Sequence, residues 1–145
     1  MDPTESFQQR HFPDGECFGC GPKNARGLQT ESFPTDDGGM ACDWNPRPEH
    51  SNCVGAVCGE ILSSALDCRA VTAAARALME REGAPTFAVT KEFTMRFLKP
   101  TPLQPARPVA RVAELRERSA TVIATAEVDG EMCARYRERF VVPRD

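Results

Sequence analysis

The segment that decides the fold reads Cys58-Gly-Glu-Ile-Leu-Ser-Ser-Ala-Leu-Asp-Cys-Arg-Ala-Val-Thr-Ala-Ala-Ala-Arg-Ala-Leu-Met-Glu-Arg81. It contains no proline, and after Gly59 no glycine occurs until Gly83-Ala-Pro85. Ala, Leu, Arg, Met and Glu dominate the segment, and all of them favour helix. A glycine followed closely by a proline is a strong stop signal. The sequence therefore predicts one long helix from about Cys58 to Arg81.

The polar residues of this helix do not form a single solvent-facing stripe. At helical spacing Arg69 and Glu80 share a side with Leu62, whereas Asp67 shares a side with Ala74. An Ala-rich helix that is apolar over most of its girth suits burial against a curved sheet. A carboxylate on such a helix then needs a reason to be there, because burying an unpaired charge is costly.

Downstream of the helix the apolar residues alternate with polar ones, which is the period of a strand. The first such stretch predicts a long half-buried strand whose apolar side holds Phe87, Val89, Phe93, Met95 and Phe97. Three more strands are predicted, near Pro108 to Leu115, Ala120 to Val128 and Met132 to Val142. Asp129-Gly130 joins the last two and is typical of a tight hairpin turn.

Two short strand candidates precede the helix, at 28–33 and 40–44, separated by a run of turn-forming residues. The predicted order is thus two strands, one helix and four strands. Adjacent strands with one helix indicate an α+β fold, in which an antiparallel sheet of about five or six strands wraps around one long central helix. Residues 1–26 are rich in Gly and Pro and are predicted to be a lead-in segment, and 27–145 a single domain.

The bulk composition limits the function classes. The chain has 145 residues, 41% hydrophobic and 27% charged, which suits one soluble domain. A net charge of -3 gives no overall attraction to nucleic acid or to an anionic membrane, so neither is expected as a partner. No apolar run approaches the roughly 20 residues of a membrane helix, and the first residues lack the features of a secretion signal. A cytoplasmic location is expected.

The seven cysteines fall into two groups. Five lie in apolar segments and are expected to be reduced thiols that pack as small hydrophobes: Cys42, Cys53, Cys58, Cys68 and Cys133. Cys17-Phe-Gly-Cys20 could instead be half of a zinc site or a redox pair. A structural zinc needs four ligands, and His11 is the only nearby candidate to add. No metal site is therefore predicted, and the motif is expected to form a tight turn before the first strand.

Four segments, in this order and at this spacing, resemble one family. The stretch from Cys17 to Leu28 is similar to a Cys-x-x-Cys-Gly-x-x-Asn-Pro-x-Gly-Leu opening. Gly55-Ala-Val-Cys-Gly-Glu-Ile-Leu-Ser-Ser-Ala-Leu-Asp67 is similar to a Gly-x-x-His-Gly-Gly run followed by a helical Asp. Arg96-Phe-Leu-Lys-Pro-Thr-Pro102 and Asp129-Gly-Glu-Met-Cys-Ala-Arg135 resemble the strand with its proline turn and the final hairpin. The family is that of the hotdog-fold acyl-CoA thioesterases of the phenylacetyl-CoA type.

The resemblance implies an enzyme that hydrolyses a small or medium acyl-CoA thioester to the free acid and coenzyme A. It implies a homodimer or homotetramer, and no cofactor beyond the coenzyme A of the substrate. Cys58-Gly59-Glu60 stands where the family has His-Gly-Gly, so a non-catalytic binder of an acyl or aromatic ligand is the alternative. A dehydratase or hydratase is disfavoured, because the only histidines, His11 and His50, lie outside the helix.

By the same resemblance the Gly59 N–H is the oxyanion donor, and Asp67 of the partner subunit is the base or nucleophile. Direct attack to give an anhydride and activation of a water both stay open. A structural carboxylate is the other interpretation of Asp67. Glu60 is either a second acid or a first-turn residue that complements the helix dipole. Cys58 is either an apolar filler or a nucleophilic thiol at a helix start.

Further candidates are less specific. Ser63 and Ser64 could line the acyl pocket, although helical serines often bond only the preceding turn. Arg96, Lys99 and Arg135 could bind the phosphates of coenzyme A. The arginines of the last strand are equally typical of a charged edge strand that resists aggregation.

Overall fold

The computed structural model describes residues 2, 4–84 and 86–144, so Pro85 of the predicted helix stop lies outside the described residues. The α-helices are α1 (Phe7–His11) and α2 (Gly59–Glu82), and a 3-10 turn spans Pro48–His50. The strands are β1 (Phe33–Pro34), β2 (Met40–Ala41), β3 (Val89–Phe97), β4 (Arg107–Leu115), β5 (Ser119–Val128) and β6 (Glu131–Val141).

The strands form one antiparallel sheet in the order β1-β2-β4-β5-β6-β3, and α2 packs across it. At the turn between β5 and β6, Asp129 and Gly130 have φ values of 50° and 76°, as a tight hairpin turn requires. The predicted element order and the antiparallel α+β class are confirmed. A six-stranded sheet around one long central helix is the hotdog fold.

Helix α2 begins and ends where the sequence predicts, within one residue. Cys58 is its N-cap, and Gly83 ends it with φ 71° while donating its N–H to the Met79 carbonyl. The helix is buried along most of its length because small side chains let it approach the sheet closely, as Ala65, Ala70 and Ala74 do. Among the described residues no helix is both long and apolar enough to cross a membrane.

The segment before the helix differs from the prediction. The strand expected at 28–33 is absent except for Phe33, because this segment bonds to the lead-in instead of the sheet. Leu28 and Thr30 donate their backbone N–H groups to the carbonyls of Phe18 and Gly19, at 2.8 and 3.1 Å. The strand expected at 40–44 is shortened to 40–41, although Trp44 still exchanges two backbone hydrogen bonds with Ala106.

Strand β3 is also not half-buried within one chain, contrary to the prediction. It lies at the edge of the sheet, where Phe93 and Phe97 are 52% and 57% exposed, and Val89 is 50% exposed. Only Met95 on its apolar side is partly covered. A register shift between Thr90 and Glu92 interrupts the alternation, so Val89, opposite Val141, lies on the other face of the sheet from Phe93 and Phe97.

The lead-in is more ordered than its composition suggests. Ser6 and Gln9 form a capping box at the start of α1, a helix that the sequence reading missed. Gln8 donates to the Ser32 hydroxyl at 3.0 Å, and the Ser32 and Thr72 hydroxyls are 3.0 Å apart. This buried chain of polar contacts fastens the lead-in to the middle of α2.

Candidate active site

Three predicted residues lie together at the start of α2. Cys58 has an extended backbone, makes no capping bond through its side chain, and donates its N–H to the His50 carbonyl at 2.8 Å. Glu60 is exposed, and its own backbone N–H and then the Cys58 thiol lower the pKa of its carboxyl. An ionised first-turn carboxylate complements the positive end of the helix dipole. This geometry favours the electrostatic role of Glu60 over that of a second acid.

Gly59 lies where a helix presents unpaired backbone donors. The first N–H groups of a helix have no acceptor within it. A Cβ built on Gly59 would lie 3.1 Å from Cζ of Phe97, at the end of β3. The absence of a side chain therefore keeps the helix start accessible beside an exposed aromatic ring, as an oxyanion donor requires.

Asp67 lies two turns further along α2, half-buried and facing strand β3. The Thr90 hydroxyl donates to its Oδ1 at 3.2 Å. No Lys or Arg among the described residues forms an ion pair with Asp67. Its carboxylate is thus held by a hydroxyl and not neutralised by a cation.

Two residues of β6, Tyr136 and Glu138, are buried beside Asp67. Burial, and then the neighbouring Asp67, raise the pKa of the Glu138 carboxyl to about 9. Burial and the charges of Glu138 and Asp67 also raise the pKa of the Tyr136 phenol well above its ordinary value. Neither carboxyl oxygen of Glu138 has a hydrogen-bond partner of normal geometry among the described residues. The raised pKa values favour the protonated form of both groups, which lie beside Asp67.

Tyr136 and Glu138 were not among the predicted site residues, because only the arginines of β6 were considered as candidates. The signal was present: Glu138 lies on the side of the strand that also holds Ala134, Tyr136 and Phe140. A charged residue within an apolar alternation is a candidate for a functional site, because its burial must be compensated.

The two serines bond the preceding turn of the helix. Ser63 Oγ donates to the Gly59 carbonyl at 2.7 Å and also contacts Met95 Sδ at 3.0 Å. Ser64 Oγ donates to the Glu60 carbonyl at 3.0 Å. Ser63 thus faces β3, at a height along the helix between Gly59 and Asp67. Ser64 bonds only to its own helix.

Gly59 and Asp67 are not brought together within one chain. Asp67 is eight positions after Gly59, which is about 12 Å along the helix axis. One thioester carbonyl cannot contact an oxyanion donor and a base that are this far apart. A site that uses both residues needs each from a different copy of the chain.

The predicted phosphate-binding residues lie at the end of β3 and on β6. Arg96 and Arg135 are direct cross-strand partners, both exposed, and neither has an acidic partner among the described residues. Two like charges placed opposite each other are destabilising unless an anion lies between them. Lys99 is already paired with Glu131.

No protein-family model matches the chain, and no curated protein matches it. Solved structures do match. A phenylacetic acid degradation-related protein from Ralstonia eutropha has a TM-score of 0.68 at 22% identity, over 79% of this chain and 86% of that one. The BH2602 protein from Bacillus halodurans, solved with CoA, has a TM-score of 0.68 at 25% identity over 81% and 76%. PaaI from the phenylacetic acid degradation operon of E. coli has a TM-score of 0.66 at 18% identity over 81% of each chain.

The chain has the hotdog fold of these proteins. The resemblance predicted from its four segments is confirmed for the fold. At identities of 18 to 25%, the likeness shows the fold alone.

A second group of reactive side chains of this hotdog chain lies away from β3. Cys17, Cys20 and Cys68 place their sulfur atoms within 4.8 Å of one another, and those of Cys17 and Cys68 are 3.8 Å apart. Hydrogen bonds from the Cys20 and Cys68 thiols, and then from the backbone N–H of Cys20 and Gly19, lower the pKa of the Cys17 thiol to about 2. Cys68 was predicted to pack as a small hydrophobe, and the fold instead brings its sulfur next to Cys17 and Cys20.

Proposed function

We propose that this protein is an acyl-CoA thioesterase that hydrolyses a small or medium acyl-CoA to the free acid and coenzyme A. Its active site is formed between two copies of the chain. The observation that carries the proposal is Asp67, an unneutralised carboxylate on a central helix that is otherwise mostly buried. Such a position is costly unless the carboxylate has chemistry to perform.

The first chemical requirement is a stabiliser for the negative charge that develops on the carbonyl oxygen. The Gly59 N–H at the start of α2 supplies it, aided by the helix dipole. The exposed ring of Phe97 beside Gly59 gives the acyl group an apolar surface. This arrangement supports attack at the carbonyl carbon close to the helix start of one subunit.

The second requirement is a base or nucleophile, and Asp67 of the other subunit fills it. In one route Asp67 removes a proton from a water, and the hydroxide attacks the carbonyl carbon. In the other its carboxylate attacks directly and forms an anhydride, which water then cleaves. Both routes expel the thiolate of coenzyme A, which takes up a proton. The Thr90 hydroxyl holds the Asp67 carboxylate, and the buried Glu138 and Tyr136 lie beside it.

The third requirement is a second copy of the chain, and strand β3 offers a surface to which it can bind. Phe93 and Phe97 expose apolar surface on one face of an unpaired edge strand, a surface that a monomer normally protects. Pairing of two such edges covers these side chains and sets Asp67 of one subunit near Gly59 of the other. A homodimer, or a homotetramer built from two dimers, follows.

The coenzyme A part of the substrate needs a cationic surface for its phosphates. Arg96 and Arg135 supply two guanidinium groups that face each other without a carboxylate between them. A phosphate there relieves the repulsion and accepts bidentate hydrogen bonds. Lys99, which already pairs with Glu131, contributes less to binding.

The experiment is a panel of acyl-CoA thioesters, with release of the free thiol as the readout, applied to the wild type and to Asp67→Asn. Asn keeps the shape of Asp67 but is neither a base nor a nucleophile. We expect turnover on the best substrate to fall by about two orders of magnitude or more, with unchanged affinity for a coenzyme A ester.

Asp36→Asn, an exposed carboxylate in the turn between β1 and β2, is the matched control and retains full turnover. A folded Asp67→Asn protein with wild-type turnover would refute the role of Asp67. If the wild type binds acyl-CoA esters but hydrolyses none of them, the protein is a non-catalytic binder. If an acyl group is trapped on Cys58, that thiol is the nucleophile.

A further inference from the structure

The cluster of Cys17, Cys20 and Cys68 joins two parts of the chain that are far apart in sequence. Cys17 and Cys20 lie in the lead-in, and Cys68 lies on α2 next to Asp67. Their exposure falls from Cys17, which is exposed, to Cys20, which is half-buried, and to Cys68, which is 2% exposed. All seven thiols are free.

The spacing of the sulfur atoms is that of a metal-thiolate site. Three thiolates at about 2.3 Å from a tetrahedral Zn²⁺ lie about 3.8 Å from one another. The observed separation of Cys17 Sγ and Cys68 Sγ is 3.8 Å, and all three sulfurs fall within 4.8 Å. One ion at the centre therefore needs only sub-ångström movements of the side chains.

The backbone around the motif is shaped for this approach. A Cβ on Gly19, between the two lead-in cysteines, would overlap Cys68 Sγ and lie 3.2 Å from the Ser64 carbonyl. Only glycine permits the turn to press against α2 here. These features hold the sulfurs in position before any ion binds.

Arg69 supplies the charge that such a site needs. It is fully buried, and its Nε and Nη1 have no hydrogen-bond partner among the described residues. Its Nη2 donates to Thr30 Oγ1 at 2.8 Å, and Thr30 Oγ1 donates to the Gly19 carbonyl at 2.6 Å. The guanidinium thus reaches the turn that carries the cysteines. Three thiolates and one Zn²⁺ leave a net charge of -1, which Arg69 neutralises.

The main alternative is a disulfide between Cys17 and Cys20. A disulfide is neutral, so it leaves the buried charge of Arg69 without an anionic counterpart, which is costly. It also gives no reason for Cys68 to lie 3.8 Å from Cys17. The three-thiol geometry and the buried cation both favour a metal.

We infer that Cys17, Cys20 and Cys68 bind one Zn²⁺ through three thiolates, with a water or a small ligand in the fourth position. Among the described residues no His or carboxylate joins the three sulfurs. Cys17 and Cys20 also line an apolar cleft of about 340 Å³ between the lead-in and α2, from which the fourth ligand can enter. Thiolate ligands select zinc over magnesium or calcium. The ion fastens the lead-in to the helix that carries Asp67.

The test is metal uptake by the whole protein, purified under reducing conditions, stripped with a chelator and titrated with Zn²⁺ or Co²⁺. The wild type is expected to bind one equivalent per chain. With Co²⁺ it is expected to show a near-ultraviolet thiolate-to-cobalt charge-transfer band, and X-ray absorption of the zinc form is expected to count three sulfur ligands. Its melting temperature is expected to rise on addition of zinc.

Cys17→Ser and Cys68→Ser are expected to lower affinity for zinc at least tenfold, and Cys42→Ser and Cys133→Ser, buried thiols outside the group, to leave it unchanged. If a variant does not fold, the Co²⁺ spectrum of the wild type still tests the inference. A reduced, folded wild type that takes up no Zn²⁺ at micromolar concentration, or that shows no charge-transfer band with Co²⁺, would overturn the inference. So would a Cys17–Cys20 disulfide in protein isolated without added oxidant.

Discussion

Asp67 and Cys68 are neighbours in the chain, but α2 places them in opposite surroundings. Asp67 faces β3, an exposed sheet edge, and is half-buried. Cys68 is 2% exposed and faces the lead-in, whose glycine turn is shaped around its sulfur. The chain itself covers one side of the helix, and we propose that a second copy of the chain covers the other. The comparison separates residues that stabilise one chain from residues that act, in the proposed dimer, between two chains.

The largest effect is expected from disrupting the proposed contact between the β3 strands of two subunits. Phe93→Lys places a charge in the middle of the exposed apolar edge. In a two-fold symmetric interface the change counts twice, so we expect about 3 to 6 kcal/mol of lost association energy, or two to four orders of magnitude in Kd. Sedimentation should then show monomers at micromolar concentration, and thioester turnover should fall with them.

Val54→Lys is the matched control for that change. Val54 is 76% exposed in the loop before α2 and away from the sheet edge. Its variant should sediment as the wild type does. A Phe93→Lys protein that is folded, dimeric and fully active would show that β3 is not the contact between subunits.

The second effect concerns Glu138, whose pKa of about 9 lies well above its ordinary value of 4.5. Between these two values the folded chain holds a proton that the unfolded chain has released. The free energy of unfolding therefore falls as pH rises through this window, by at most about 1.4 kcal/mol per pH unit. Glu138→Gln removes this dependence. The free energy of unfolding of the variant should therefore exceed that of the wild type only slightly near pH 4.5 and most near pH 9.

Chemical denaturation of the two proteins at several pH values measures that difference. Glu117→Gln, an exposed carboxylate in the turn between β4 and β5, should follow the wild type at every pH. A constant offset between Glu138→Gln and the wild type would show that Glu138 is not protonated in the folded protein.

The smallest effect is expected from the cationic pair. Arg96→Gln removes one guanidinium and should raise KM for acyl-CoA about tenfold, with little change in kcat. An acyl-pantetheine substrate, which lacks the nucleotide phosphates, should show no such change. Arg26→Gln, an exposed arginine of the lead-in, is the control. If KM rises equally for both substrates, Arg96 does not bind the nucleotide phosphates.

The fold followed from local patterns, whereas part of the site did not. The bounds of α2 were predictable because its stop signals and alanines are local in sequence, and the final hairpin because Asp129-Gly130 fixes its turn. The strand predicted at 28–33 was wrong because those backbone groups bond to the lead-in. Such a tertiary contact leaves no periodic pattern in the sequence. The thiol cluster was not predicted for the same reason, because 47 residues of chain lie between Cys20 and Cys68. Glu138 was visible as a charged residue in an apolar alternation, but its neighbour Asp67 is known only from the packing of α2 on β6.

The measurement that tests the shared active site most directly uses two inactive variants in one dimer. Chains carrying Asp67→Asn and chains carrying Gly59→Val, which fills the space beside Phe97, are expressed together with different affinity tags, and the mixed dimer is purified through both. One of its two sites then combines an intact Gly59 with an intact Asp67 from the other chain. The mixed dimer is expected to recover about half of the wild-type turnover per dimer, while each parent stays inactive. A mixed dimer as inactive as its parents would contradict the account and place the whole site within one chain.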